Sequence, residues 1–223
     1  ALGQAGVTRV SLGVQDFSPR VQQAVNRIQP FDETKRVIDS LRSVGIAEIN
    51  IDLMYGLPHQ GTDELLATAE KVLELGPTRL ALFGYAHVPW MKVHQRMIDE
   101  DALPGTEARW QQAGAARAFL EEHGFTTIGL DHFARDDDPM AAALKAGVLH
   151  RNFQGYTTDR ANTLIGFGAS SISSLPAGYV QNFPQLNLYR RNLDEGRLPT
   201  ARGVELTPDD RLRREVIERL MCD

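Results

Sequence analysis

Four segments of the chain repeat one layout: "LGQAGVTRVSLGVQ" (2–15), "LRSVGIAEINIDLMYG" (41–56), "VLELGPTRLALFGYA" (72–86) and "LEEHGFTTIGLDHFA" (120–134). Each has a helical tail, a glycine, a few linking residues, an apolar strand and a polar or small ending. The glycines, Gly6, Gly45, Gly76 and Gly124, stand where a helix C-terminus favours a left-handed residue. Helical patterns fill the gaps. Residues 18–28 and 32–44 carry helix-period apolar positions, the second through Val37, Ile38, Leu41 and Val44. A helix begins at Thr62, with Leu65, Leu66, Ala69, Val72 and Leu73 on one side. Another spans 106–123, with Thr106 as N-cap and Arg109 where a capping box would need an acid or amide. Strand and helix alternating in this way predict βαβ crossovers and a parallel α/β sheet.

The runs "INIDLMY" and "RLALFGYA" are nearly continuous in apolar character, as expected of strands covered on both faces. No GxGxxG follows a strand, which removes support for a dinucleotide fold. A barrel or barrel-like sheet fits better, and there the chemistry sits at the C-terminal strand ends. Those ends carry Gln15, Asp52 with Tyr55, Ala86 with His87, and Asp131 with His132. The chain opens on a helix tail and supplies three or four barrel strands, so it is expected to be an internal piece of a larger protein.

After residue 135 the layout changes, and the domain organisation expected is a barrel part at 1–135 and a second region at 136–223. "DDDPMAAALKAGVL" predicts a short helix capped from Asp136–Asp138. "HRNFQGYTT" (150–158) is polar and aromatic, and "TLIGFGASSISSL" (163–175) is glycine- and serine-rich, as where a chain hugs a ligand or another strand. Residues 183–196 and 207–221 read as helices, the second starting at Thr207–Pro208–Asp209, with "EGRLPTARG" between them as a linker.

The net charge of −5 argues against nucleic acid or an anionic membrane as the main partner. No apolar run approaches the roughly 20 residues of a membrane span. The single cysteine, Cys222, excludes an internal disulfide, and a reducing, cytoplasmic compartment is expected. Cys222 itself reads as an ordinary helix residue. His87, His132 and His150 lack metal-ligand spacing and read as structural. Ser170, Ser171, Ser173 and Ser174 lack a GxSxG context for a nucleophile. Asp52 interrupts an apolar run. An unpaired buried carboxylate costs on the order of several kcal/mol, so it needs a partner, Arg27 or a ligand hydroxyl being the candidates.

In order along the chain, "RVSLGVQDF" with "VQQAVNR", "NIDLMYGLP", "YAHVPW", "GLDHFAR", "HRNFQGYTT" and "GFGASSIS" resemble the oxygen-independent coproporphyrinogen III oxidases, radical S-adenosylmethionine (SAM) enzymes of haem biosynthesis. The resemblance covers essentially the whole chain. The first and third of these motifs are shared with related radical SAM proteins, including a haem chaperone. "GLDHFAR" and "HRNFQGYTT" are more specific to the coproporphyrinogen enzymes.

The resemblance implies later strands and helices of a partial, TIM-like (β/α) barrel, plus part of a C-terminal α+β and helical region. It implies oxidative decarboxylation of two propionates of coproporphyrinogen III to vinyl groups, giving protoporphyrinogen IX. It places the four-iron four-sulfur cluster on a CxxxCxxC motif upstream of Ala1, and makes Gln15, Arg27 and Asp52 SAM ligands. Ala86 and Ile172 belong, on the same resemblance, to the site of a second SAM. A monomer is expected. The tetra-acid substrate needs cations, for which Arg135 and Arg151 are the candidates, with a bridge from Arg151 to Asp159 as the structural alternative. Rival readings are the haem chaperone, which binds haem without turnover, and a non-redox barrel enzyme acting on phosphorylated substrates, for which "GFGAS" is a poor phosphate loop.

Overall fold

The computed structural model describes residues 2–153 and 155–222. The chain divides into two compact units, Ala1–Ala146 and Gly147–Asp223.

The first unit runs β1 (Arg9–Gln15), α1 (Pro19–Ala24), α2 (Phe31–Ser43), β2 (Glu48–Tyr55), α3 (Thr62–Glu74), β3 (Arg79–Gly84), α4 (Thr106–Glu122), β4 (Phe125–Ile128), β5 (His132–Arg135) and α5 (Pro139–Lys145). The sheet order is β1-β2-β3-β5-β4. Strands β1, β2 and β3 are parallel, as the repeat predicts. The four repeat glycines all take positive φ, 78° at Gly6, 88° at Gly45, 61° at Gly76 and 81° at Gly124. Three of them let a helix end and the next strand begin within a few residues.

The fourth repeat departs from expectation. "TTIGLDHFA" is not one parallel strand: the chain doubles back at Gly129 (φ 59°), making a β4–β5 hairpin. β5 then pairs antiparallel with β3, through Arg79↔Ala134, Leu80↔Phe133 and Ala81↔His132. Helix α4 begins at Thr106 with Gly105 as N-cap, so the threonine is the first helical residue rather than the cap.

The two faces of the sheet also differ from a doubly apolar reading. Val14, Ile49, Ile51, Leu53, Leu80, Leu82 and Phe133 form one core with Ile38 and Leu41 of α2, Leu65 and Val72 of α3, and Ala116 and Leu120 of α4. Each of these side chains except Ala116 contributes about 1.5–3 kcal/mol by leaving water. The alternate positions, Ser11, Gly13, Asn50, Asp52 and Ala81, are small or polar and share the other face.

Helix α5 is fixed by a buried ion pair. Asp138 caps it by accepting from the Met140 N–H at 2.7 Å. The same carboxylate takes a bidentate pair from Arg79, Nε at 2.9 Å and Nη2 at 2.7 Å.

In the second unit a hairpin of β6 (His150–Asn152) and β7 (Gly155–Thr157) precedes β8 (Ile172–Leu175), β9 (Gly178–Asn182), α6 (Leu186–Asp194), β10 (Thr200–Glu205) and α7 (Pro208–Cys222). The glycine- and serine-rich run does hug another strand, β8 pairing with β9. The expected linker is in part a strand: β10 pairs antiparallel with β9. Gly178 permits this, since a Cβ there would run into the Val204 carbonyl. Helix α7 opens with a reciprocal cap, Thr207 N–H to Asp210 Oδ2 at 3.0 Å and Asp210 N–H to Thr207 Oγ1 at 3.2 Å. Among the described residues no helix is long and apolar enough to cross a membrane.

Candidate functional site

The C-terminal ends of the parallel strands carry the polar groups. β1 ends in a register shift between Gly13 and Gln15, where Gly13 pairs with Asp52 and Gln15 with Leu53. Gln15 takes a left-handed backbone, φ 68°. The extra residue re-aims the glutamine, as bulges do, and its Nε2 comes within 2.7 Å of where a Gly13 Cβ would lie. Helix α1 lasts one and a half turns, and Asn26 follows it at φ 51°. That turn sends Arg27 back to the strand, its Nη2 donating to the Gly13 carbonyl at 2.5 Å. Gln15 and Arg27 therefore meet over Gly13.

Asp52 is the lateral neighbour of Gly13, and the row continues through Ala81 to His132. Its Oδ1 accepts from Asn50 Nδ2 at 2.7 Å. Burial raises its pKa above the ordinary 3.8, opposed by the Asn50 hydrogen bond and the His132 charge. The partner that its burial demands is thus Asn50. The ion pair with Arg27 is not formed, because that guanidinium is held on the Gly13 carbonyl, with Gln29 Oε1 at 3.4 Å. Among the described residues no carboxylate lies within ion-pair distance of Arg27. His132 Nδ1 lies 2.6 Å from Asp131 Oδ1.

Beneath this rim lies a buried polar network that the sequence reading missed. The Asp16 carboxylate accepts from the Ser18 N–H at 2.5 Å, Gln60 Nε2 at 2.7 Å and Thr68 Oγ1 at 3.2 Å. The Gln60 carbonyl accepts from Gln112 Nε2 at 2.6 Å, and Gln112 Oε1 from the Gly56 N–H at 3.1 Å. A network satisfied at each member rigidifies what it touches, here the loops after β1 and β2. The Asp-Phe-Ser spacing, in which an aspartate bonds the amide two residues on, was the available signal. Arg109 has a comparable duty: Nη2 donates to the Tyr85 carbonyl at 2.7 Å, and the guanidinium lies 5.9 Å from the Tyr55 ring centroid.

Ala86 follows β3 and is exposed, its carbonyl accepting from Gln95 Nε2 at 3.0 Å. His87 bridges Tyr85 and Glu100, in keeping with a structural histidine. Arg135 is not brought to this rim. β5 runs antiparallel, so its last residue lies at the opposite end of the sheet, the Arg135 N–H on the Thr78 carbonyl. Its guanidinium is committed to Asp137, at 2.9 and 2.7 Å. In the second unit Ile172 opens β8, half-buried and paired with Gln181. Arg151 packs its guanidinium 5.0 Å from the Tyr156 centroid. It does not bridge to Asp159, whose Oδ1 accepts from the Ala161 N–H. Among the described residues no group of three metal-ligating side chains occurs.

Gln15, Arg27 and Asp52 thus gather a donor–acceptor amide, a cation free of carboxylates and an acceptor on one strand-end rim. This set fits a ligand carrying a carboxylate and hydroxyls, as SAM does. A Cβ at Gly13 would meet Gln15 Nε2 at 2.7 Å and Arg27 Nη2 at 3.3 Å, so the glycine is what lets the two side chains come together there.

Residues 1–72 match the radical SAM superfamily. The whole chain is 55% identical to an oxygen-independent coproporphyrinogen III oxidase of Bradyrhizobium diazoefficiens, of which it covers 50%. It is 46% identical to the enzyme of that name from Helicobacter pylori over 218 residues, covering 98% of this chain and 48% of that one. Among solved structures, coproporphyrinogen III oxidase from Escherichia coli, described as a radical SAM enzyme, superposes with a TM-score of 0.89 at 43% identity. That match covers 99% of this chain and 51% of the other. The chain spans about half the length of the curated relatives it matches.

Proposed function

We propose that this chain, a homologue over its whole length of half of the oxygen-independent coproporphyrinogen III oxidases, forms the SAM rim and part of the substrate side of such an enzyme. The reaction is the oxidative decarboxylation of two propionates of coproporphyrinogen III. Each propionate loses one hydrogen atom, carbon dioxide and one electron, and becomes a vinyl group. SAM, with an iron–sulfur cluster held outside this chain, supplies the one-electron hydrogen abstraction when bound. The observation that carries the reading is the meeting of Gln15 and Arg27 over Gly13, next to Asp52, inside the segment that matches the radical SAM superfamily.

Arg27 has the fork to hold a methionyl carboxylate. Gln15 can donate and accept toward ribose or carboxylate, and Asp52 accepts from ribose hydroxyls. In the first unit Ala86 contributes apolar contact to a second SAM, and in the second unit Arg151 contributes a cation toward the substrate. The protein acts as a monomer in the cytoplasm. Its residues orient the reactants and keep water and oxygen from the reacting carbon.

The test uses the full-length protein under anaerobic conditions, following SAM cleavage together with carbon dioxide release from coproporphyrinogen III. Both are expected, and Arg27→Ala should raise the apparent KM for SAM. Stoichiometric haem binding without carbon dioxide release would move the protein to the chaperone reading.

A further inference from the structure

The second unit contains a cavity of about 650 Å³, built from β6, β7, α7 and residues 159–164. That is within the roughly 300–1,000 Å³ of small-molecule sites. Its wall carries three arginines, Arg151, Arg160 and Arg214, against two acids, Asp159 and Glu218. Neither acid is set against an arginine. Glu218 Oε1 holds His150 Nδ1 at 2.8 Å, and Asp159 Oδ1 accepts the Ala161 N–H at 2.8 Å. Among the described residues no carboxylate lies within ion-pair distance of the three guanidinium groups.

Elsewhere in the unit both arrangements occur. Along α6 and α7 three arginines pair with acids one turn away, Arg191 with Glu195, Arg213 with Asp209 and Arg219 with Glu215. Among the described residues Arg190 and Arg211 neither form an ion pair nor line the cavity. Arg214, one residue beyond Arg213, lines the cavity instead. Phe153 and Tyr179 line it too, with their rings edge to face at 6.2 Å. His150 lines the cavity as well, and its Nε2 is buried without a hydrogen-bond partner among the described residues. An orphan of this kind marks a place where a partner is missing.

We propose that this cavity is a carboxylate-binding site, with Arg151, Arg160 and Arg214 as its cations and Phe153 and Tyr179 as an apolar flank. The inference rests on the function proposed above and deepens it by naming the group the second unit recognises. Guanidinium forks suit carboxylates geometrically, and the aromatic flank suits the edge of a ring system. Two sources offer the group: propionates that the reaction keeps, and the methionyl carboxylate of SAM.

The experiment is an anaerobic binding titration of the full-length protein and its Arg151→Gln, Arg214→Gln and Arg214→Lys variants. The probes are coproporphyrin III, a fluorescent tetra-acid that is not turned over, its tetramethyl ester as neutral control, and SAM. Each glutamine variant should raise the Kd for coproporphyrin III by about tenfold or more, the loss of a charge-assisted hydrogen bond. Arg214→Lys should recover part of it, and ester binding should not respond. If SAM affinity falls by that factor and coproporphyrin III affinity does not, the site stands and the carboxylate is that of SAM. Unchanged affinity for both, in variants with unaltered circular dichroism, overturns the proposal. Reductive SAM cleavage by the unsubstituted protein is measured in parallel. Its absence with carboxylate binding intact would remove the proposed function and leave the cavity.

Discussion

The two units differ in where they hold charge. Both carry exposed ion pairs, but in the first a few ionisable groups also go inside and are held by several partners. Asp16 is 2% exposed and takes three hydrogen bonds, while Arg79 and Asp138 are 5% and 7% exposed and grip each other. In the second, charge stays at the surface in pairs along single helices, and large apolar side chains stay there as well, including Leu198, Val204, Ile217 and Leu220. The pKa directions follow. Burial raises Asp16 and Asp52, whereas arginines beside Glu195 and the cap at Asp210 lower those groups. The first unit is a scaffold whose rigidity holds a rim in place, and the second has arginines in reserve around a cavity.

The sharpest break of that contrast is in its ion pairs. Arg79→Ala strands the Asp138 carboxylate and should cost about 3–5 kcal/mol in chemical denaturation. Arg213→Ala removes an exposed pair and should leave the midpoint unchanged. If the two variants behave alike, the contrast of inside and outside charge carries no energy. Core truncation comes next. Leu80→Ala, at a fully buried site, should cost about 2–5 kcal/mol by transfer and cavity terms. Ile217→Ala, at a position 55% exposed, should fall within about 0.5 kcal/mol of the unsubstituted protein.

What could be read from the sequence was whatever a local pattern encodes. Glycines after helices, apolar periods and a helix start at Thr207–Pro208–Asp209 each specify structure within a few residues, and each is found. So is the strand end at Gln15. The β4–β5 hairpin was not legible, since Gly129-Leu130-Asp131 interrupts the apolar pattern too briefly to announce a reversal. β10 was missed because each of its residues is exposed, leaving no alternation to read. At the site, residue identities could be named but not their pairings. Asp52 needed a partner, for which Arg27 and a ligand hydroxyl were the candidates; Asn50, two residues back on the same face, was missed and is the one found. The Asp16–Gln60–Gln112 network spans about a hundred residues of sequence, and no local rule sees it.

Binding sharpens the comparison at the rim. Asp52→Ala in the full-length protein should weaken SAM by a factor of about ten to a hundred, or roughly 1.5–3 kcal/mol. Unchanged affinity in the folded variant would reduce Asp52 to a structural partner of Asn50. A control belongs with it: residues 1–223 alone should give no four-iron absorbance on anaerobic reconstitution, because Cys222 is the single cysteine and is buried.

The smallest effect expected is in the pH dependence, and its sign separates the units. For Asp16, burial is the largest cause of a pKa above 3.8, opposed by hydrogen bonds from Ser18, Gln60 and Thr68. The native state then holds the proton more tightly than the unfolded chain. The stability this contributes is complete below pH 3.8 and is lost as pH rises through the raised native pKa. Asp52 acts in the same direction, again through burial first. Asp210 acts in the other. Hydrogen bonds from Thr207 hold it below 3.8, so its contribution is present above that value and is lost as pH falls through the native pKa. Carboxyl-carbon NMR titration should give midpoints above 3.8 for Asp16 and Asp52 and below it for Asp210. Replacing Gln60 by Met removes one donor that favours the charged form, so it should move the Asp16 midpoint further up and leave Asp210 where it was. If Asp16 titrates at or below 3.8, the hydrogen bonds outweigh burial, and the two units handle their carboxylates by the same rule.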